Sequence, residues 1–230
     1  RLFSTSSKNY GTNALATTAY DDGYTAGGMY YCNGTGGETR RNVTINNVIA
    51  GDKIVVYMAS SNAATGTLVF KYLGEDNEQV EKASFTNKGT KYEFVAKYSG
   101  SYKVYTDAAA GKPIYNRIVR IPGVAVSGTI DGAQLSGYKV MFKDEANGIT
   151  YDADIKGNTF TATLAAGCNY TAVLSGVAGY GFSNATKNIS TTVDEALTGK
   201  SGVTLSIEEK KVYTYTGKVT GFAADYDTSN

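Results

Sequence analysis

The chain has 230 residues, a formal net charge of +1, no His and no Trp. Without His, Ser-His-Asp and Cys-His catalysis and His-ligated zinc sites are excluded within this chain. The near-neutral balance points away from nucleic acid and anionic membrane surfaces, and no run of about 18 apolar residues occurs to form a membrane-spanning helix.

A 42% hydrophobic and 19% charged composition is a globular balance. With 27 Gly, 19 Tyr and only 2 Pro, and with Thr, Val and Asn frequent, strands and tight turns should dominate and helix be scarce. The length suits two domains of ordinary size. Cys32 and Cys168 fall one in each expected half and read as two separate buried thiols. Such sparse cysteine fits a bacterial extracellular protein better than a disulfide-framed one. The chain opens on Arg1 with no signal-like stretch, as a processed or excised piece would.

Residues 1–19, rich in Ser, Thr and Asn, read as a leading arm adding one edge strand. Gly and Asn between aromatics over 20–34 mark turns between short strands. Residues 41–48 alternate, with Val43, Ile45 and Val48 inward, whereas 53–59 (KIVVYMA) are continuously apolar, as in a strand buried on both faces. Strands follow over 67–73, 80–85, 90–98 and 101–105; the last sets Tyr102 and Val104 inward and Lys103 and Tyr105 outward. About eight short strands at this turn spacing predict a β-sandwich or jelly roll over 1–122.

The stretch 113–132 (PIYNRIVRIPGVAVSGTIDG) reads as a closing strand, a stop at Ile121-Pro122-Gly123 and the opening strand of a second unit. In the first strand Tyr115, Arg117, Val119 and Ile121 alternate against Ile114, Asn116, Ile118 and Arg120. Beyond it, 124–130, 138–142, 150–155, 159–164, 170–174, 187–192 and 203–207 read as strands, with hairpin signals at Asn147-Gly148 and Gly157-Asn158. Residues 194–199 have room for one helical turn. The tail 212–230 echoes 126–132 and is either the last strand of the second unit or the start of a third repeat. The expected fold is therefore all-β: two consecutive antiparallel β-sandwich domains, jelly-roll-like over 1–122 and immunoglobulin- or prealbumin-like over 123–211.

VSGTIDG, GYKVMF and GNTFTATLAAGCNYTAVLSG, with Gly157, Phe160, Leu164, Gly167 and Tyr170 at their spacing, resemble the small prealbumin-like sandwiches of carboxypeptidase-regulatory and collagen-adhesin type. GDKIVVYMASS, YEFVAKYSGSYKVY and GKPIYNRIVRIPG resemble the β-sandwich appended to secreted bacterial pectin-degrading enzymes. The resemblance implies a non-catalytic, carbohydrate-binding accessory region of an extracellular polysaccharide lyase or esterase, monomeric, acting beside other domains of the same polypeptide. A structural stalk of a bacterial surface protein is the alternative.

On that footing the ligand is a polysaccharide, pectic homogalacturonan first, and no nucleic acid or membrane. Sugar carboxylates are met by Arg forks and Lys, and sugar rings stack on Tyr. The candidates are Tyr30, Tyr31, Arg40, Arg41, Lys103, Tyr105, Lys112, Tyr115 and Arg117, the last five lying on or between two strands expected to pair. A structural Ca²⁺ is the one ion the composition suits, with Asp21, Asp22, Glu38 and Asp52 near turns as its ligands.

Overall fold

The computed structural model describes residues 2–4, 10–11, 19–26, 30–32, 36–60, 65–75, 78–86, 89–107 and 113–210. Among the described residues the chain is all-β apart from one helical turn. Its first ten strands are β1 (Leu2–Ser4), β2 (Tyr10–Gly11), β3 (Tyr30–Cys32), β4 (Val43–Val48), β5 (Lys53–Ser60), β6 (Gly66–Tyr72), β7 (Val80–Phe85), β8 (Thr90–Val95), β9 (Gly100–Asp107) and β10 (Pro113–Ile121). They form two antiparallel sheets, ordered β1-β4-β9-β6-β7 and β2-β3-β10-β5-β8.

Period-2 alternation turns one face of each sheet onto the other. Ile54, Val56 and Met58 of β5 meet Leu68 and Phe70 of β6 and Tyr102 and Val104 of β9 in one buried cluster. Phe70 stacks between Phe94 and Tyr102, its ring centroid 4.9 and 4.5 Å from theirs. The buried Tyr102 hydroxyl accepts from Tyr98 N–H (3.0 Å) and lies 2.9 Å from Gln79 Oε1, and burial pushes its pKa up to about 12. All eight residues of β5 are buried, as its unbroken apolar run predicts, because the other face of this strand is also covered.

The remaining elements are β11 (Val124–Gly132), β12 (Lys139–Asp144), β13 (Ile149–Asp152), β14 (Asp154–Lys156), β15 (Thr159–Leu164), β16 (Asn169–Ser175), β17 (Tyr180–Phe182), β18 (Asn188–Ser190), α1 (Glu195–Thr198) and β19 (Lys200–Glu209). They make sheets ordered β14-β15-β11-β19-β17 and β13-β12-β16-β18, around a core containing Phe142, Phe160, Leu164, Tyr170 and Leu205. The expectation of purely antiparallel sheets needs correction: β11 and β19 run parallel. The chain leaves the edge strand β18 and crosses to the other sheet through α1, entered by a reciprocal Thr192/Glu195 pair (2.8 and 3.3 Å) of the capping-box type.

Between the two pairs of sheets the chain makes one tight passage at Pro122-Gly123, held by Asp52. Its buried carboxylate accepts from Ile49 N (2.7 Å), Gly123 N (3.3 Å) and Arg120 Nε (2.6 Å). Gly51, at φ +91°, lies against Tyr151 and the Leu164–Ala165 backbone, where a methyl group would sit 3.5 Å from the Tyr151 ring and 3.7 Å from the backbone. Val95 and Ile121 pack into the second core. A cleft of about 710 Å³ and another of about 500 Å³ open beside this contact.

Candidate functional site: an aromatic and basic face

The outer face of the second sheet carries a grouping of aromatic and charged side chains. The register of β10 on β5 slips between Tyr115 and Arg117, an irregularity that reverses the alternation downstream. Tyr115 and Ile118 therefore face the inter-sheet core, while Arg117, Val119 and Ile121 face outward with Val55 and Tyr57. Arg117 sits directly opposite Tyr57 across the strands.

A short hairpin lies on this face, closed by the Ala19–Thr25 bridge and turned at Gly23, whose φ of +84° only glycine adopts freely. It brings Tyr20 and Tyr24 onto Tyr57, with centroids 5.0 and 4.8 Å away, and stacks Tyr20 on Tyr24 at 5.6 Å. The Arg117 guanidinium lies 5.1 Å from the Tyr24 ring centroid and 5.7 Å from that of Tyr57, within cation–π range. Tyr20 donates its hydroxyl to Asn116 Oδ1 at 2.6 Å.

Asp22, at the hairpin tip, accepts from Tyr57 Oη (2.7 Å) and its neighbour Tyr24 N–H (3.1 Å), and pairs with Lys91 at 3.5 Å. The bond from Tyr57 is the main reason its carboxyl sits below the usual carboxylate range. From Lys91 the charges continue to Glu93 (3.0 Å) and on to Lys53 (3.1 Å), an ion-pair chain running along β8 toward the larger cleft. Burial raises the Tyr57 pKa, with the bond to Asp22 adding to it, and burial chiefly raises that of Tyr20. These phenols stay neutral donors at ordinary pH.

The other sequence candidates do not join this group. β9 and β10 belong to different sheets, so Lys103 and Tyr105 lie on the far side of the sandwich from Arg117. Lys103 donates to the Glu38 carbonyl oxygen at 3.0 Å, and Tyr105, expected outward and open, is 9% exposed beside it. Tyr115 is 4% exposed in the inter-sheet core and cannot stack on a ligand. Arg40 is exposed and Arg41 half-buried in the loop before β4, Arg41 at φ +53°. Tyr30 and Tyr31 pair with Tyr115 and Ile114 in the ladder. Lys112 lies outside the described residues, as does the tail 212–230.

The four expected calcium ligands are dispersed. Asp22 serves the aromatic face, Asp52 clamps the passage between the sheet pairs, Glu38 pairs with Lys71 at 2.9 Å, and Asp21 is exposed. Among the described residues no three acidic, Cys or His side chains gather as a metal site. Cys168 is a free, half-buried thiol.

Tyr20, Tyr24, Tyr57 and Lys91 escaped the sequence-level selection. One signal for them was present: a strand apolar on both faces, β5, demands a cover for its outer side. Tyr20-Asp21-Asp22-Gly23-Tyr24 supplies that cover. No protein-family model matches this chain, and no curated protein matches it.

Proposed function

We propose that this chain is a non-catalytic, glycan-binding region of a secreted or cell-surface bacterial protein that acts on plant cell-wall polysaccharide. The jelly-roll-like half, 1–122, holds the ligand, and the immunoglobulin- or prealbumin-like half, 123–211, spaces and orients it. The supporting observation is the exposed Arg117 guanidinium over the rings of Tyr24 and Tyr57, flanked by Asp22 and Lys91. Such a surface offers charged donors and acceptors for sugar hydroxyls, with ring surface only from the half-buried Tyr24, since Tyr20 and Tyr57 are 5% and 7% exposed beneath it. Lys91 and Arg117 against Asp22 and Glu93 give a balanced charge, so a neutral glycan fits as well as homogalacturonan.

Affinity electrophoresis of the whole chain through a panel of plant polysaccharides, at low and high salt, tests this. Retardation that weakens in Arg117→Ala supports the proposal, and salt sensitivity of the part that is lost identifies an anionic glycan. Unretarded migration with every polysaccharide removes it in favour of the structural stalk. That second reading draws on the Asp52 clamp, which stiffens the passage between the sheet pairs.

A further inference from the structure

The larger cleft, about 710 Å³, lies between the two pairs of sheets, within the usual size range of ligand sites, about 300–1,000 Å³. One wall belongs to each pair. From the first come Lys53 and Glu93, the inner end of the ion-pair chain that begins at the aromatic face. Lys53 is 6% exposed, and its ammonium reaches the second pair at Gly167, where a methyl group would sit 3.5 Å from Nζ.

The opposite wall is a flat array of polar side chains on the outer face of β12, β16 and β18. Tyr170 and Ile189 point into the core, so their neighbours point out. The register sets Lys143 beside Thr171 and Thr171 beside Asn188 in one row, with Asn169 beside Ser190 in the next. Strands spaced about 4.8 Å apart thus present an ammonium, two amides and two hydroxyls in a fixed two-row grid.

The rim is ordered as well. Asp144, 1% exposed, accepts from the Asn147 backbone N–H (3.0 Å) and Nδ2 (2.7 Å), which fixes the turn after β12 at the mouth of the cleft. Three carboxylates, Glu93, Asp144 and Glu145, stand against two ammonium groups, Lys53 and Lys143. A polyanion gains nothing from that balance. A neutral molecule with many hydroxyls, each able to donate and accept, matches a wall of amides, hydroxyls and carboxylates.

We infer that this cleft is a second ligand site, one that binds a neutral oligosaccharide on the Lys143–Thr171–Asn188 and Asn169–Ser190 grid. The choice of ligand class rests on the glycan-binding function proposed above; the site itself rests on the cleft and its register.

The test is backbone amide NMR of the labelled full chain, titrated with β-1,4-linked hexamers of glucose and of xylose and with hexagalacturonate. The expected result is saturable shifts at Asn169, Asn188 and Ser190 with a neutral hexamer, retained in Arg117→Ala. Filling the cleft with Asn188→Trp should weaken that binding about tenfold or more. The gentler Asn169→Ala/Ser190→Ala pair should weaken it in the same direction, whether or not the Trp variant folds. Cleft shifts without shifts around Tyr24 and Arg117 would uphold this site while removing the outer-face one. Three outcomes overturn the inference: no cleft shifts with any of the three probes, shifts with hexagalacturonate alone, or loss of all cleft shifts in Arg117→Ala.

Discussion

Asp52 anchors the passage between the two pairs of sheets, its carboxylate reaching Ile49 N, Gly123 N and Arg120 Nε. An aspartate in a turn between strands, Ala50-Gly51-Asp52, looks like an oxygen donor for a hard cation. In the fold its carboxylate already accepts three hydrogen bonds, two from backbone N–H groups and one from Arg120, and it is 2% exposed. Removing it leaves Ile49 and Gly123 N–H without their acceptor and Arg120 without its counter-charge. Asp52→Ala should therefore destabilise the chain by about 3 kcal/mol, read as a lower urea midpoint in equilibrium unfolding. A midpoint unchanged from the parent chain would mean that the clamp contributes nothing to folding. Asp22→Ala, at an exposed tip, should shift the midpoint much less.

At the scale of elements, two irregularities matter more than the regular strands. The slip in β10 at Asn116 sends Tyr115 inward and Arg117 outward, separating two residues that strict alternation puts on one face. The second is in β11, whose register against β19 shifts between Val126 and Gly128. A Cβ on Gly128 would lie 2.0 Å from the Val203 carbonyl oxygen and 2.7 Å from the Phe160 ring. The backbone of a parallel partner cannot yield as a side chain can. Gly128→Ala should cost about 2 kcal/mol or more through overpacking, with amide exchange in β19 accelerating first. Unaltered exchange in β19 would contradict the close approach.

For the whole molecule, pH is the readiest probe. The carboxyls of Asp22, Glu38 and Glu195 are held below their ordinary range, chiefly by hydrogen bonds from Tyr57, Lys71 and Lys200 respectively. Their contribution is present above the unfolded carboxylate pKa, about 4, and is lost as pH falls through the depressed folded values. Tyr20, Tyr102, Tyr151 and Tyr170 are shifted the other way by burial. Their neutral form suits the fold, so that contribution is present below the unfolded phenol pKa, about 10, and is lost as pH rises above it. Thermal unfolding followed across pH should give a Tm plateau from about pH 5 to 9 with a fall on either side. A plateau that ran on through about pH 11 would mean the buried phenols carry no such penalty.

Composition and period-2 patterning by themselves determined that the chain is all-β, where most strands lie and that a break falls at Pro122-Gly123. These properties are local: a β-branched alternation, a glycine turn and a proline without an N–H act over a few residues. Even the full burial of β5 was legible in KIVVYMA, because a strand apolar on both faces must be covered twice. Which side chains meet was decided by the tertiary structure alone. Sheet order separates β9 from β10, so Lys103 and Arg117 end on opposite sides of a sandwich. One register slip between Tyr115 and Arg117 inverts a face, and a hairpin some 30 residues before β5 in sequence delivers Tyr20 and Tyr24 onto Tyr57. The same holds for the parallel β11–β19 pair and for the cleft between Lys53 and the β16–β18 grid. Each depends on contacts between segments distant in the chain, and periodicity carries no term for which distant strand becomes a neighbour.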